Sequence, residues 1–301
     1  MSGDLHLAGA QTGFTPGLAT GLAPAKVNLT LHVTGQRPDG YHLLDSLVVF
    51  ADVGDQISAI AAEGLTLAVT GPFAKGVPLD DSNLILRAAK ALRLARGVTK
   101  GAALRLNKML PHAAGIGSGS SDAATTLRLL AALWDVPPLH PDDPAVLALG
   151  ADVPVCLRAP HPARMTGIGG QLSAVPPLPP AALVLVNPRV AVPTAAVFKT
   201  LIRRDNPPMA PMPDHWDFDR FAAWLNHQRN DLQPGAEAIA PEITQALTKL
   251  RQLPGVAAAV MSGSGATCVG LVRDMGAARA AARAMQVAHM GWWVVPAALL
   301  S

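Results

Sequence analysis

One glycine-rich stretch dominates the sequence: Pro111-His112-Ala113-Ala114-Gly115-Ile116-Gly117-Ser118-Gly119-Ser120-Ser121-Asp122. It lies between a predicted strand at 102–106 and a predicted helix at 121–134. Closely spaced glycines let backbone N–H groups converge without obstruction by Cβ atoms. The start of the helix adds unpaired N–H groups and the positive end of the helix dipole, and together these features favour phosphate binding. We therefore interpret residues 111–121, called the glycine loop below, as a phosphate-binding loop.

The spacing within the glycine loop argues against the better-known phosphate motifs. A dinucleotide fingerprint requires a third glycine where Ser120 stands, and a Walker A loop requires a lysine directly after its last glycine. The partner motifs of protein kinases and the GxSxG motif of hydrolases are missing from the sequence. The purely structural alternative is a Gly/Ser turn that binds no ligand, but the helix that follows argues against it. The hydroxyls of Ser120 and Ser121 suit three roles, which the sequence leaves open: helix capping, phosphate contact or Mg²⁺ binding.

The segment before the glycine loop is rich in predicted strands. Residues 25–33 alternate between apolar and polar, which predicts a strand with Lys26 and Asn28 on the same face. Residues 37–40, Arg-Pro-Asp-Gly, predict a turn. Further strands are predicted at 43–51, 56–60 and 65–69, and a helix is predicted at 81–96 with Asp81 or Ser82 as its N-cap.

Strands and helices continue to alternate after the glycine loop, which predicts an α+β fold. The predicted strands are at 153–157, 183–186, 256–261, 267–272 and 292–296. The predicted helices are at 142–149, 194–203, 217–226, 240–252 and 276–289. A proline-rich connector at 174–181 and a proline-rich loop at 205–214 separate some of these elements.

Composition narrows the class of protein. The chain has 301 residues, of which 50% are hydrophobic and 15% charged, so it can bury a sizeable core. Its net charge of +3 comes without a basic stripe, which argues against nucleic-acid binding. No apolar run is long enough to span a membrane, and residues 1–20 read as a flexible leader rather than a signal peptide. We expect a cytoplasmic protein in which Cys156 and Cys268 are buried free thiols.

The glycine loop is similar to the Pro-x-x-x-Gly-Leu-Gly-x-x-Ser-Ser loop of the GHMP kinases. Other segments resemble the branch of this superfamily that phosphorylates diphosphocytidyl-methylerythritol, and the resemblance covers roughly residues 21–298. These segments are Ala23–Leu29 followed by Asp39–His42, then Gly150–Pro154, then Ser262–Cys268. The resemblance implies an ATP-binding N-terminal domain at 21–165, like domain 2 of ribosomal protein S5, and a ferredoxin-like C-terminal domain at 166–301.

The resemblance also implies roles for individual residues. Lys26 and Asp152 match the catalytic pair, in which Asp152 takes the proton of the acceptor hydroxyl and Lys26 neutralises developing charge or tunes Asp152. The substrate-binding positions are Asn28, Tyr41, His42, Asp152, Thr194 and Phe198, with the cytosine stacked between Tyr41 and Phe198. The positions for ATP or its phosphates are Asn83, near the adenine, and Pro111, Ala113, Ala114, Gly115, Ile116, Gly117, Ser118, Gly119, Ser120 and Ser121. Ser118 departs from the glycine that is common there.

The implied activity is phosphorylation, by ATP with Mg²⁺, of the 2-hydroxyl of a cytidine-diphosphate-linked methylerythritol in the non-mevalonate route to isoprenoid precursors. Ser120 or Ser121 is the candidate Mg²⁺ contact, and the expected state is a monomer or homodimer. One alternative is another GHMP kinase, such as a homoserine kinase, which has no need of Tyr41 as a stacking ring. A second is a non-catalytic nucleotide-binding regulator, which has no need of both Lys26 and Asp152.

Overall fold

A computed structural model describes residues 13–15 and 17–301. Within them, twelve strands form one sheet, with nine helices packed around it, so the predicted α+β class is confirmed. The strands are β1 Gly13–Thr15, β2 Leu18–Asn28, β3 His32–Gln36, β4 His42–Ala62, β5 Leu65–Thr70, β6 Gly101–Asn107, β7 Ala163–Gly167, β8 Gln171–Ala174, β9 Ala182–Asn187, β10 Val256–Met261, β11 Cys268–Val272 and β12 Trp293–Leu300. The helices are α1 Leu84–Arg96, α2 Ser118–Trp134, α3 Pro144–Leu147, α4 Val153–Cys156, α5 Thr194–Lys199, α6 Phe218–Asn226, α7 Gln233–Ile239, α8 Glu242–Gln252 and α9 Met275–Ala288.

The long strand β4 organises the first half of the sheet. It pairs with β2, β3, β6, β7 and β12, and it replaces the two separate strands predicted at 43–51 and 56–60. The pairing with β2 shifts register here, since Pro24 pairs with Gly54 and Lys26 with Phe50, so a bulge at residues 51–53 lets β4 continue through the predicted gap. The strand predicted at 25–33 is divided instead, since β2 ends at Asn28 and β3 begins at His32.

The second half of the chain has the ferredoxin-like order β-α-β-β-α-β. Its strands lie in the order β12-β9-β11-β10, all antiparallel, and α8 and α9 pack against them. The end of β12 also pairs with β4, through Leu299 with Ala51 and Leu300 with Phe50. One continuous sheet therefore connects the two halves. The division into two domains stays a prediction, and the boundary placed at 165/166 falls inside β7.

Three predictions about helices are corrected. The N-cap of α1 is Asn83 rather than Asp81 or Ser82, and α2 begins at Ser118 with Gly117 as its N-cap. Within the run 153–157, predicted as a strand, residues 153–156 form the one-turn helix α4, and all four are buried. A short apolar run does not by itself distinguish a buried strand from a buried helix, and Pro154 is favourable in the first turn of a helix.

The predicted flexible leader is partly wrong. Residues 1–12 and 16 lie outside the described residues, but Gly13–Thr15 pairs with Leu18–Thr20, and Ala19 is fully buried in the core. The buried alanine gives this hairpin an apolar anchor, which the composition of the leader did not reveal. Strands β7 and β8 and helix α7 were also missed, because none of them has a long periodic pattern.

Cys156 and Cys268 are buried free thiols, as predicted, and burial raises the pKa of both. Among the helices of the described residues, none has the length and apolar character required to cross a bilayer.

Candidate active site

A cavity of about 860 Å³ opens where the glycine loop, the end of β2 and the loop between β10 and β11 meet. Residues 262–267 of that last loop are called the second glycine loop below. The volume lies within the range typical of small-molecule sites. The cavity is therefore lined by residues from both halves of the sheet.

Lys26 and Asp152 form an ion pair in this cavity. The Lys26 Nζ lies 2.9 Å from Asp152 Oδ2 and donates a hydrogen bond of 2.7 Å to Asn28 Oδ1. This contact confirms that Lys26 and Asn28 point the same way from β2. The Lys26 side chain is 4% exposed and that of Asp152 is 34% exposed, so the ammonium is held inside while the carboxylate faces the cavity. Asp152 stands at the N-cap position of α4, but its side chain makes no capping bond there.

The glycine loop approaches Lys26 more closely than a larger residue would allow. Gly117 has a φ of 57°, and a Cβ atom added to it would lie 2.7 Å from Lys26 Cε. The backbone N–H of Lys26 also donates a hydrogen bond to the Ile116 carbonyl at 3.0 Å. Because Gly117 is the N-cap of α2, the first N–H groups of the helix begin next to the ammonium. Two sources of positive potential thus converge on the same part of the cavity.

Hydrogen bonds from Ser262 and Thr267 to backbone carbonyls hold the two glycine loops together. Ser262 Oγ donates to the Gly115 carbonyl at 2.8 Å and accepts the Asn28 N–H at 3.0 Å. The Thr267 N–H donates to the Ala114 carbonyl at 3.1 Å. Asn230 holds the second glycine loop from behind, since its Nδ2 donates to the carbonyls of Met261 and Gly263, each at 2.8 Å. The loop predicted to bind phosphates is therefore held in place from two sides.

Aromatic side chains also line the cavity, and the part that they line is called its aromatic end below. Tyr41 is 61% exposed at its rim, while the rings of His42 and Phe198 are stacked with centroids 4.8 Å apart. Burial, and then the charge of Arg204, lower the pKa of His42, so its imidazole is neutral near pH 7. Thr194 Oγ1 lies 2.8 Å from Ser264 Oγ and ties α5 to the second glycine loop.

Comparison with known proteins identifies the family. The model for the GHMP kinase N-terminal domain matches residues 83–159, and that for the GHMP kinase C-terminal domain matches residues 215–290. A 4-diphosphocytidyl-2-C-methyl-D-erythritol kinase of Cereibacter sphaeroides is 56% identical over 277 residues, covering 91% of this chain and 97% of the relative. The chain belongs to the 4-diphosphocytidyl-2-C-methyl-D-erythritol kinase family. A member from Ruegeria pomeroyi is 55% identical, with 90% and 95% of the two chains covered.

Solved structures agree with this membership of the 4-diphosphocytidyl-2-C-methyl-D-erythritol kinases. A crystal structure of a 4-(cytidine 5'-diphospho)-2C-methyl-D-erythritol kinase superposes with a TM-score of 0.74 at 32% identity and covers 94% of this chain and 99% of that one. A homoserine kinase from Cytophaga hutchinsonii has a TM-score of 0.66 at 15% identity, with 96% and 97% covered, which shows a shared fold.

Most residues predicted for the site of a 4-diphosphocytidyl-2-C-methyl-D-erythritol kinase meet in the cavity. The lining includes Lys26, Asn28, Tyr41, His42, Ala113, Ala114, Gly115, Gly117, Ser118, Gly119, Ser120, Asp152, Thr194 and Phe198. Asn83, Pro111, Ile116 and Ser121 lie outside the lining. The Asn83 side chain accepts the Ile85 N–H as a helix cap and donates to the Pro78 carbonyl.

The two serines differ in position. Ser120 lines the cavity, whereas Ser121 is fully buried, with an Oγ that has no hydrogen-bond partner among the described residues. Both lie inside α2 rather than at its cap. Neither role proposed for them from the sequence, phosphate contact or Mg²⁺ binding, is tested by this placement.

Some residues that shape the site were not predicted. Asn230 is one, and the buried polar residues Asp55, Lys108 and Asp122 beneath the glycine loop are others. Burial raises the pKa of Asp122 to about 7, opposed by the charge of Lys108. A signal existed for the last two, since Lys108 lies three residues before the glycine loop and Asp122 directly follows it, but nothing local connects them to Asp55.

Proposed function

We propose that the chain transfers the γ-phosphoryl group of ATP to the 2-hydroxyl of 4-diphosphocytidyl-2-C-methyl-D-erythritol. The observation that carries this proposal is the Lys26–Asp152 pair, 2.9 Å apart, beside a glycine loop and within one cavity. Phosphoryl transfer requires little covalent work from the protein, mainly alignment of the acceptor and positive charge around the phosphoryl group. These are the properties that the pair and the loop offer.

In the proposed reaction, Asp152 accepts the proton of the 2-hydroxyl. The hydroxyl oxygen forms a new bond to the γ-phosphorus as the bond from that phosphorus to the β–γ bridging oxygen breaks, and ADP leaves. Lys26 keeps the carboxylate oriented and offsets the charge that develops on the phosphoryl oxygens. The N–H groups at the start of α2 hold the phosphates, because they are free of partners within the helix.

Mg²⁺ fits this proposal through its preference for oxygen ligands. The cation would neutralise charge on the β- and γ-phosphates when it is bound. Ser120 supports its binding best, because its hydroxyl lines the cavity while that of Ser121 is buried outside it. Among the described residues, no group of three or more His, Cys, Asp or Glu residues is arranged to hold a metal ion.

The cytidine part of the substrate would bind at the aromatic end. Tyr41 is exposed and can stack on a base, and the buried His42 Nε2 has no partner among the described residues, so it can bond to the edge of the cytosine. Phe198 already stacks on His42. Stacking of the cytosine between Tyr41 and Phe198 therefore requires Phe198 to offer its other face or to turn.

Tyr41→Ala is expected to raise the KM for the cytidine substrate by about 5- to 100-fold, which corresponds to the loss of one stacking contact. The KM for ATP should change by less than about twofold, because the two ligands bind at opposite ends of the cavity. Steady-state kinetics with each substrate varied in turn provides the measurement. Equal increases in both KM values would contradict a specific role for Tyr41.

An ADP-release assay on the purified protein tests the function itself. Mg²⁺-ATP is combined in turn with the cytidine substrate, homoserine, mevalonate and galactose. Turnover with the cytidine compound alone is expected. Turnover with another acceptor would replace the proposed substrate and keep the kinase, while binding of ATP without any turnover would favour a non-catalytic role.

A further inference from the structure

A buried group of three ionisable residues lies beneath the glycine loop. Lys108, just after β6, places its Nζ 2.6 Å from Asp55 Oδ2 and 2.7 Å from Asp122 Oδ2. Asp55 comes from β4 and Asp122 from the second turn of α2. All three side chains are 5% exposed or less. The ion cluster, as these three residues are called below, is therefore shielded from solvent and takes no part in the chemistry proposed above.

The ion cluster connects the two ends of the glycine loop. Lys108 precedes the loop and Asp122 follows it, so their contact closes the loop at its base. Asp55 Oδ1 also accepts the N–H groups of Met109 at 2.6 Å and Leu110 at 2.9 Å, which fixes the entrance of the loop against β4. One network thus holds the entrance of the loop, its exit and the central strand.

Buried charges of this kind are not required to stabilise the fold. Desolvation of buried charges offsets most of their attraction, and apolar residues of the same volume are often at least as stabilising. A buried ion cluster does fix the orientation of the segments that it connects, because each hydrogen bond allows only a narrow range of geometry. Asp122 also directly follows the first turn of α2, whose N–H groups begin at the cavity, so movement of its carboxylate would tilt that turn.

We propose that Asp55, Lys108 and Asp122 are positioning residues that set the glycine loop and the first turn of α2 in the geometry that binds the phosphates of ATP. This inference rests on the proposed function. It assigns the three residues no contact with the substrate. Opening the ion cluster is expected to weaken ATP binding selectively, since the second substrate depends on Tyr41, His42 and the opposite end of the cavity.

The test compares Asp122→Ala with Asp122→Asn. Alanine removes one of the two carboxylate acceptors of Lys108 Nζ, the one that holds the exit of the loop, so the KM for ATP should rise by about tenfold or more while the KM for the cytidine substrate stays within about twofold. Asparagine keeps an oxygen acceptor at the same place and should restore most of the ATP affinity. Asp45→Ala is the matched control. It removes another buried carboxylate, one that pairs with Arg164 away from the glycine loop, and it should leave the KM for ATP unchanged.

Calorimetric titration of each variant with the non-hydrolysable analogue of Mg²⁺-ATP, without the second substrate, separates this inference from the proposed function. Weaker analogue binding by Asp122→Ala than by Asp122→Asn supports positioning even if the acceptor proves to be a different molecule. Equal analogue affinities for folded Asp122→Ala, Asp122→Asn and the unmodified protein would overturn it, as would equal increases in both KM values. If Asp122→Ala does not fold by circular dichroism, Lys108→Met and its control Lys108→Arg replace the pair, with the same expected split and the same contradicting results.

Discussion

Asp152→Asn is expected to lower kcat by about 10²- to 10⁴-fold, the range associated with loss of a general base. Asparagine matches the shape of the carboxylate but does not accept the proton of the acceptor hydroxyl. The affinity for Mg²⁺-ATP should persist within a few-fold, because the glycine loop and the start of α2 are unchanged. Single-turnover kinetics measures the chemical step, and titration with a non-hydrolysable ATP analogue measures binding.

Asp143→Asn provides a matched control for this change. Asp143 stands at the N-cap of α3, where its Oδ1 accepts the Ala145 N–H at 2.9 Å, a bond that asparagine can also make. The substitution is therefore the same, at the N-cap of a neighbouring one-turn helix, and activity should be retained. Near-normal turnover by Asp152→Asn would remove Asp152 from the role of base and leave Lys26 and the loop as the main contributors.

Gly115→Ala is expected to lower the free energy of unfolding by about 2–4 kcal/mol, the combined effect of backbone strain and overpacking. Gly115 has a φ of 74°, in the left-handed region that disfavours a side chain, and an added Cβ would lie 2.3 Å from the Ser262 carbonyl oxygen. Because this contact is with backbone, relief requires the two glycine loops to separate. Activity should fall with stability, since separation displaces the hydrogen bond from Ser262 Oγ to Gly115.

Gly119→Ala is the control for Gly115→Ala within the same stretch of chain. Gly119 lies inside α2, and its added Cβ would meet Leu84 Cδ1 at an ordinary 3.4 Å. Alanine in the middle of a helix is favoured over glycine by about 0.5–1 kcal/mol, and the gain is smaller at the second residue of α2, so this variant should be equally or slightly more stable. Chemical denaturation of both variants measures the difference. Equal stabilities would show that the two glycine loops can part without cost.

Much of the candidate site was predictable because its motifs are local. The glycine loop has its backbone N–H groups, its glycines and its following helix within a short stretch of chain, so spacing alone indicated phosphate binding. The alternation around Lys26 and Asn28 placed both on one face of β2, and their hydrogen bond confirms this. The turn at 37–40 is confirmed as well, with the Arg37 N–H donating to the Tyr41 carbonyl at 2.8 Å.

Other features depended on contacts that no local pattern records. The run 153–157 has the same apolar character as a strand, but residues 153–156 form the helix α4, which packs against α2 and leaves Asp152 facing Lys26. The long β4 exists because several strands pair with it along its length. The placement of Asn83 near the adenine stays a prediction, and its side chain serves as the helix cap of α1.

The kind of chemistry is predictable from residue types whose backbone and side-chain properties act over a few positions. Glycines that tolerate positive φ, a helix start and an alternating strand are each properties of a short segment. Which of these segments meet depends instead on how the whole chain packs. The pairing of Lys26 with Asp152, the locking of the two glycine loops through Ser262, and the ion cluster that joins Asp55 to the ends of the glycine loop all depend on packing between distant segments. Their free energy comes from the burial of many side chains together, and no single stretch of residues encodes it.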